Sequence, residues 1–141
     1  MSKVRVSNES AVVAPLKAKL GKYDQAAKAG VMAVAFAVQK QAKVNAFTGK
    51  HSPGEGHIPG TGPGPNVGTG LLRRSISVKR REGFESYVAE VGPTAVYSRA
   101  VELGSPRWRS GVRYPYLRPA ANEVRRKAKR IFLAAFNERV K

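Results

Sequence analysis

The chain has 141 residues, a length that suits one domain able to bury roughly two-thirds of its unfolded surface. It contains no cysteine, which excludes disulfides, thiolate metal sites and cysteine nucleophiles. The 26 Lys and Arg residues exceed the 9 Asp and Glu residues, and the formal net charge is +17. This charge predicts attraction to nucleic acid, an acidic membrane or an acidic protein surface, unless it only keeps a monomer soluble.

The N-terminal part of the chain is predicted to be helical. Residues 1–21 comprise an irregular N-terminal segment without a signal-peptide core and a short helix from Val12 to Leu20, in which Pro15 fits only the first turn and Gly21 ends or bends the helix. No apolar run is long enough to span a bilayer, so we expect no membrane contact and a cytoplasmic protein. A long helix is predicted over residues 22–47, where the Ala-rich sequence with Gly30 either admits a close neighbour or simply favours helix. Its apolar stripe follows a 4-4-3-4-4 spacing: Tyr23, Ala27, Val31, Val34, Val38 and Ala42.

Residues 48–70 are predicted to form a long Gly/Pro-rich loop, which carries no positive charge between His51 and Gly70. A loop of this length in a compact domain is typically functional or disordered, and we expect a partner to order it. Both histidines lie here with Glu55 between them, but glycine-rich chain does not hold ligands rigidly, so no metal or other cofactor is predicted. The loop residues expected to contact a neighbouring subunit or partner are His51, His57, Ile58, Pro63, Pro65 and Val67.

Residues 71–116 are predicted to form a β-rich middle with an extended arm. Apolar and polar residues alternate from Ile76 on, the period of a half-buried strand. The charged residues 79–83 are predicted to connect a hairpin, and residues 84–91 return as a second strand that the Gly-Pro pair at 92–93 breaks. One side of this second strand is formed by Tyr87, Ala89 and Val91.

A short amphipathic turn follows, and Gly104 is predicted to be its left-handed C-cap. Glu102 on this turn is expected to pair with Arg99 or Arg118, a contact of about 0–1 kcal/mol if it is exposed. The apolar side of the turn is predicted to consist of Tyr97, Ala100, Val101 and Leu103.

The arm, residues 105–114, carries the single tryptophan between two arginines. Such a cluster suits a subunit interface, a core tryptophan with solvated arginines, or base stacking, and we favour the interface. Val112 and Tyr114 are a candidate third strand. The residues in and after the arm that are expected at an interface are Arg107, Trp108, Arg109, Tyr114 and Tyr116.

Residues 117–141 are predicted to form the last helix, with Pro119 in its first turn and the end near Arg139. Its apolar stripe is Leu117, Ala121, Val124, Ala128, Ile131 and Ala135, widened by Phe132 and Phe136. The opposite face is strongly basic: Arg125, Arg126, Lys127, Lys129 and Arg130. This face is either solvated or meets an acidic partner, and a membrane-surface helix is a weaker alternative.

These elements predict one α+β domain, with a long N-terminal helix and a C-terminal helix packed on a small, mainly antiparallel sheet. No catalytic function is expected, because the carboxylates are scattered and neither a His-containing triad nor a phosphate loop can be assembled. A non-viral nucleic-acid-binding module remains an alternative on charge alone, although no recognised nucleic-acid motif is readable.

Three motifs occur in order: TGLLRRSI at 69–76, YSRAVELG at 97–104 and PYLRPA at 115–120. They resemble the TGxLxxSI, YxxxVExG and PxLxPA motifs of the tail-component family of long-tailed bacteriophages. The positions that carry the resemblance, together with the strand end, are Gly70, Leu72, Ser75, Ile76, Gly92, Tyr97, Glu102, Gly104, Pro115, Leu117 and Pro119.

The resemblance implies a structural virion protein that acts in the neck or tail, as a head–tail joining or tail-completion subunit. It further implies a homo-oligomeric ring, with six copies as the expected number, that meets other neck, connector and tail-tube proteins. Non-specific contact with passing DNA and assembly in the host cytoplasm are further expectations. The alternative within the family is a tail terminator that caps the tail tube.

Overall fold

The computed structural model describes residues 9–46, 70–83, 86–106 and 113–141. The elements in chain order are α1 (Glu9–Asn45), α2 (Leu71–Ser75), β1 (Ile76–Glu82), β2 (Tyr87–Pro93), α3 (Ser98–Leu103) and α4 (Leu117–Val140). The helices α1 and α4 pack along each other, and the two strands lie against α1. The α+β fold predicted from the sequence is therefore confirmed.

The first helix is continuous, which corrects the prediction of two helices. α1 runs through Gly21 without ending, and Pro15 lies inside the helix rather than in its first turn. A glycine in a helix costs about 1 kcal/mol, which does not by itself end a helix that is long and packed further on. The carbonyl that loses its partner at Pro15 lies in an exposed stretch, where water can bind it. α1 ends at Asn45, two residues before the predicted end.

The buried face of α1 consists of small residues and differs from the predicted stripe. Of that stripe only Ala42 is fully buried, while Tyr23 is exposed. At Gly30 an added Cβ would lie 2.5 Å from the Phe132 ring of α4, which confirms the alternative of a close neighbour at this glycine. The buried positions of α1 are Ala26, Gly30, Ala35 and Ala42, and Ala46, directly after the helix, is also buried.

The hairpin is longer than predicted. β1 pairs antiparallel with β2 from Ile76 opposite Pro93 to Glu82 opposite Tyr87. The predicted connection at 79–83 is therefore mostly strand, and the turn is closed by the N–H of Gly83, which donates to the Ser86 carbonyl at 2.8 Å. The Gly-Pro pair at 92–93 does not break β2, because Pro93 stands at the last position of an edge strand, where a missing N–H is tolerated. The predicted inner side of β2 is confirmed, with its residues half-buried and the alternate residues exposed.

The turn helix α3 differs from the prediction in two ways. Gly104 has a positive φ of 88°, as predicted, but its ψ of 165° is extended and not left-handed helical. The buried residues are Ser98 and Val101, whereas Tyr97 and Leu103 are exposed. A six-residue helix contacts the body along a narrow strip, so only part of its apolar side is covered.

The predicted third strand is also not observed, since the sheet has two strands in the part of the chain that the structure describes. Tyr114 is instead tied to the C-terminal part of α3, because its N–H donates to the Val101 carbonyl at 2.8 Å. Val112 lies outside the described residues.

The last helix begins at Leu117 and places Pro119 in its first turn, as predicted. Its buried residues are Ala120 and Val124, whereas the predicted Ala121 is exposed. The start of α4 packs against α2, β1, α3 and the end of α1. The buried residues where these elements meet form the main core, which we call the packed end. Its buried members are Ala42, Ala46, Leu72, Ile76, Val101, Tyr116 and Ala120.

Candidate assembly surfaces

The start of α4 is held by the side chain of Glu102. One carboxylate oxygen accepts the backbone N–H groups of Tyr116 and Leu117 at 2.7 and 2.9 Å, and the other accepts the N–H of Arg118 at 2.8 Å. The first N–H groups of a helix lack partners within the helix and carry partial positive charge, so a carboxylate binds them well. Glu102 thereby links α3 to the first turn of α4.

This role corrects the predicted ion pair with Arg99 or Arg118. In the described part of the chain Glu102 is bonded to backbone N–H groups, and Arg118 takes part through its main chain. The sequence carries a signal for this, because no Ser, Thr, Asp or Asn occurs among residues 113–118 at the start of α4. A helix without such an N-cap residue needs an acceptor from elsewhere in the fold, and Glu102 provides it.

Tyr116 lies in the core and not at the predicted interface, since its exposed fraction is 0%. Burial raises the pKa of Tyr116 to about 12, the charge of Glu102 adds to the increase, and Ser98 opposes it. The hydroxyl is buried without a well-formed hydrogen bond to the described residues, so the contact with Ser98 compensates only part of the effect of burial. The side-chain amide of Asn45 donates to the Tyr116 carbonyl at 3.0 Å and thus joins the end of α1 to the start of α4.

A second amide performs a similar function at the sheet. The side chain of Gln39 donates to the Ile76 carbonyl at 2.9 Å and joins α1 to the first residue of β1. Sequence reasoning missed both Gln39 and Asn45, because polar residues near an apolar stripe look like ordinary solvent-facing positions.

The three motif segments of the sequence meet at the packed end. Leu72 and Ile76 come from the first motif, Val101 comes from the second, and Leu117 of the third packs against them. The hydroxyl of Ser75 donates to the Leu72 carbonyl at 2.8 Å and closes α2. The other motif positions are Gly70 before α2, Gly92 in β2, Tyr97 and Gly104 at the ends of α3, and Pro115 and Pro119 around the start of α4.

Most of the predicted interface residues lie outside the described residues, so the structure does not place them. These are His51, His57, Ile58, Pro63, Pro65, Val67, Arg107, Trp108 and Arg109. Tyr114 is placed, and it packs half-buried against the packed end.

An apolar groove opens between α1, β2 and α4. Its volume is ≈ 440 Å³, and it is lined mainly by Val, Ala, Leu and Phe side chains. On α1 the lining extends from Val31 to Val38, on α4 from Ala128 to Leu133, and Ala89 and Val91 of β2 form the floor. The groove lies where the two-stranded sheet is too narrow to cover the apolar side chains of α1 and α4.

The first turns of α1 expose a strip of large apolar side chains. Their exposed fractions are 57% for Val12, 41% for Val13, 54% for Leu16 and 67% for Leu20. On a helix of 3.6 residues per turn these positions share one face, so they form a continuous strip. We call residues 11–22 the projecting segment, and every residue in it is exposed.

The outer face of α4 is basic, as predicted, and all five of its predicted cations are exposed. Lys127 pairs with Glu123 at 3.4 Å, a surface contact of small energy. Arg125 and Lys129, like Arg126 and Arg130, are four residues apart, where like charges repel. This face is therefore suited to a negatively charged neighbour.

The described residues hold no group of three His, Cys, Asp or Glu side chains placed to bind a metal ion. None of the described helices is both long and apolar enough to cross a membrane.

The family model described as "Bacteriophage HK97-gp10, putative tail-component" matches residues 15–104. The matched region covers most of α1, the hairpin and α3 up to the C-cap, and so includes the first two motifs. The comparisons with curated proteins and with solved structures returned no match.

Proposed function

Because the chain belongs to the HK97-gp10-like family of phage tail components, we propose that it is a structural virion protein that joins head to tail. In this role it forms a ring in the neck or at the top of the tail and acts in tail completion. The ring is a homo-oligomer, with six copies as the expected number. The match over residues 15–104 is the observation that carries the proposal.

The arrangement of the described residues supports a building block better than a catalyst. The motifs serve the packed end, where Glu102 fixes α4 and the side chains of Gln39 and Asn45 hold α1 to the rest of the domain. A rigid end of this kind keeps the remaining surfaces at fixed angles, which a closed ring requires of each subunit. The proposed role is accordingly structural and not enzymatic.

The proposed partners are further copies of the chain and the connector and tail-tube proteins next to the ring. The loop at 48–70 and the arm at 105–114 are proposed to reach these neighbours and to become ordered on assembly. Such ordering costs conformational entropy, so a single contact is weak while a closed ring with many contacts is strong. Assembly takes place in the host cytoplasm, and the finished location is the virion.

The basic face of α4 favours a second contact, with DNA that passes through the ring. Arg126 and Arg130 are exposed one helical turn apart, and phosphates are a natural counter-charge for them. Such binding is independent of sequence and falls steeply with salt. A chain that binds random duplex DNA tightly, but never assembles with tail or head proteins, would be a nucleic-acid-binding module instead.

Electron microscopy of particles from the encoding phage with this gene inactivated tests the proposal. We expect DNA-filled heads and finished tails that remain separate, and joined virions after the wild-type chain is supplied from a plasmid. A variant with a Glu123→Gln change, which alters one exposed surface pair, is the complementation control and should restore joining.

Two outcomes would contradict the joining role. Normal joined particles without the chain would remove it altogether. Tails of irregular length would instead identify the chain as a tail terminator, because a terminator stops the growth of the tail tube.

A further inference from the structure

Two apolar surfaces of the molecule have no cover among the described residues, and α1 contributes to both. One is the strip of the projecting segment, formed by Val12, Val13, Leu16 and Leu20. The other is the groove beside α1, α4 and β2. Exposed apolar area on both surfaces disfavours the free monomer in water.

The strip cannot fill the groove of its own chain. The strip and one wall of the groove belong to the continuous helix α1, and Val31, the first groove residue, stands eleven positions after Leu20. At 1.5 Å per residue this separation is about 16 Å along a rigid rod, so the two surfaces never meet within one molecule. Residues 48–69 are a poor alternative occupant, since Ile58 and Val67 are their only large aliphatic side chains.

We propose that the strip of one copy docks into the groove of a second copy. The strip is about 12 Å long from Val12 to Leu20, and the groove is about 10 Å long from Val31 to Val38, both at 1.5 Å per residue. Both surfaces are apolar over this length, so the docked helix face and the lining side chains remove each other from water. The inference rests on the proposed ring and names the contact between its subunits.

The contact joins two different surfaces, so it is head-to-tail, and repeated contacts of this type close into a ring or extend into a filament. The area argues for closure. The projecting segment is a helix about 18 Å long and about 11 Å wide, and the solvent-accessible area of one half of its surface is roughly 400 Å². Stable pairs bury about 800 Å² on each partner. A subunit buries about 800 Å² only when its own strip docks into one neighbour and its groove binds the strip of another. Every member of a closed ring makes both contacts.

The charge of the chain predicts how salt acts on this contact. Each copy carries a formal net charge of +17, so two copies repel each other at low ionic strength. Added salt screens the repulsion and leaves the apolar contact intact, so self-association should strengthen. Binding of the basic α4 face to DNA or an acidic protein would show the opposite dependence.

Thiol cross-linking of the full chain tests the contact, because the chain has no cysteine of its own. The test protein carries Leu16→Cys on the strip and Leu133→Cys at the edge of the groove, both at exposed positions. The matched control carries Ala14→Cys with Leu133→Cys, since Ala14 lies on the opposite face of the same turns. A short thiol-to-thiol reagent is added at micromolar protein and at low and high salt.

We expect the test protein to form covalent multimers at least fivefold more than the control, with a larger yield at high salt. A Leu20→Glu change should abolish this yield, whereas Ala14→Glu, with the same added charge on the opposite face, should leave it unchanged. Equal cross-linking of test and control proteins at high salt would overturn the proposal.

The size of the product separates this proposal from the proposed function. Closed multimers of three or more copies support both the contact and the ring. A product limited to a dimer, in which two copies exchange strips, keeps the contact and overturns the ring. Separate heads and tails in the inactivated phage together with no cross-linking would keep the joining role and remove only this contact.

Discussion

The packed end and the projecting segment use the same helix in opposite ways. At the packed end Ala42 of α1 and Ala46, directly after it, are small residues that let α2, α3 and the start of α4 come close. In the projecting segment α1 instead exposes large residues such as Leu16 and Leu20. On α1, large apolar residues thus lie where no other described residue covers them, and small residues lie where other elements pack against the helix.

This difference shows that hydrophobicity alone does not locate the core of the protein. Close packing needs shape, and a helix that must approach another helix gains more from alanine or glycine than from leucine. Large exposed side chains are instead typical of surfaces that are covered by a partner. The comparison therefore separates the residues that stabilise the fold from the residues that remain available for assembly.

Replacing one leucine from each region gives the largest expected contrast. Leu72→Ala at the packed end should lower the free energy of unfolding by about 3 kcal/mol, because it removes buried methyl groups and leaves a cavity. Leu20→Ala in the projecting segment should change it by less than about 0.5 kcal/mol. Urea denaturation followed by circular dichroism measures both, and similar losses would refute the division into two regions.

Removing the charge that caps α4 is expected to have the next largest effect. Glu102→Gln keeps one acceptor oxygen but places an NH₂ group against backbone donors, so stability should fall by about 2–3 kcal/mol. The control is Glu123→Gln, which breaks an exposed pair at 3.4 Å and should cost less than about 1 kcal/mol. If the two variants unfold at the same urea concentration, the capping role of Glu102 is wrong.

The two glycines of α1 test the same contrast, because Gly21 lies in the exposed projecting segment and Gly30 lies where α1 packs against α4. Gly21→Ala should stabilise the protein by about 0.5–1 kcal/mol, since nothing lies within 4 Å of the added Cβ. Gly30→Ala has the same gain in helix propensity, but its Cβ meets the Phe132 ring at 2.5 Å and should cost about 1–3 kcal/mol. Thermal unfolding of both variants measures the difference, and a Gly30→Ala variant as stable as Gly21→Ala would exclude close packing at Gly30.

High pH should weaken the packed end through Tyr116. Its pKa is about 12 in the folded protein and about 10 in the unfolded chain, so the unfolded chain loses the proton first and stability falls between pH 10 and pH 12. At pH 11 the loss should be about 1.4 kcal/mol relative to pH 8. Tyr116→Phe cannot titrate, so denaturation at both pH values should show a smaller loss in this variant. An equal loss in both proteins would place the titrating group elsewhere.

Local features of the fold were predictable where the physical cause was local. Positive φ at Gly104, the place of Pro119 in the first turn of α4 and the alternation along β2 all follow from covalent geometry or from a short period. Burial on α1 was not predictable in the same way. The stripe drawn through Tyr23 and Val31 follows hydrophobicity, whereas the covered side was set by the position of α4.

The α+β class and the tail-component family could be read from the amino-acid sequence, because periodicity and motif order are properties of the chain. The capping of α4 by Glu102, the burial of Tyr116 and the contact of Gly30 with the Phe132 ring became visible only in the folded domain. These facts depend on residues far apart in the chain, such as Asn45 and Tyr116, whose distance is fixed only when the helices pack. Short-range geometry is encoded locally, whereas contacts between distant residues exist only in the folded domain.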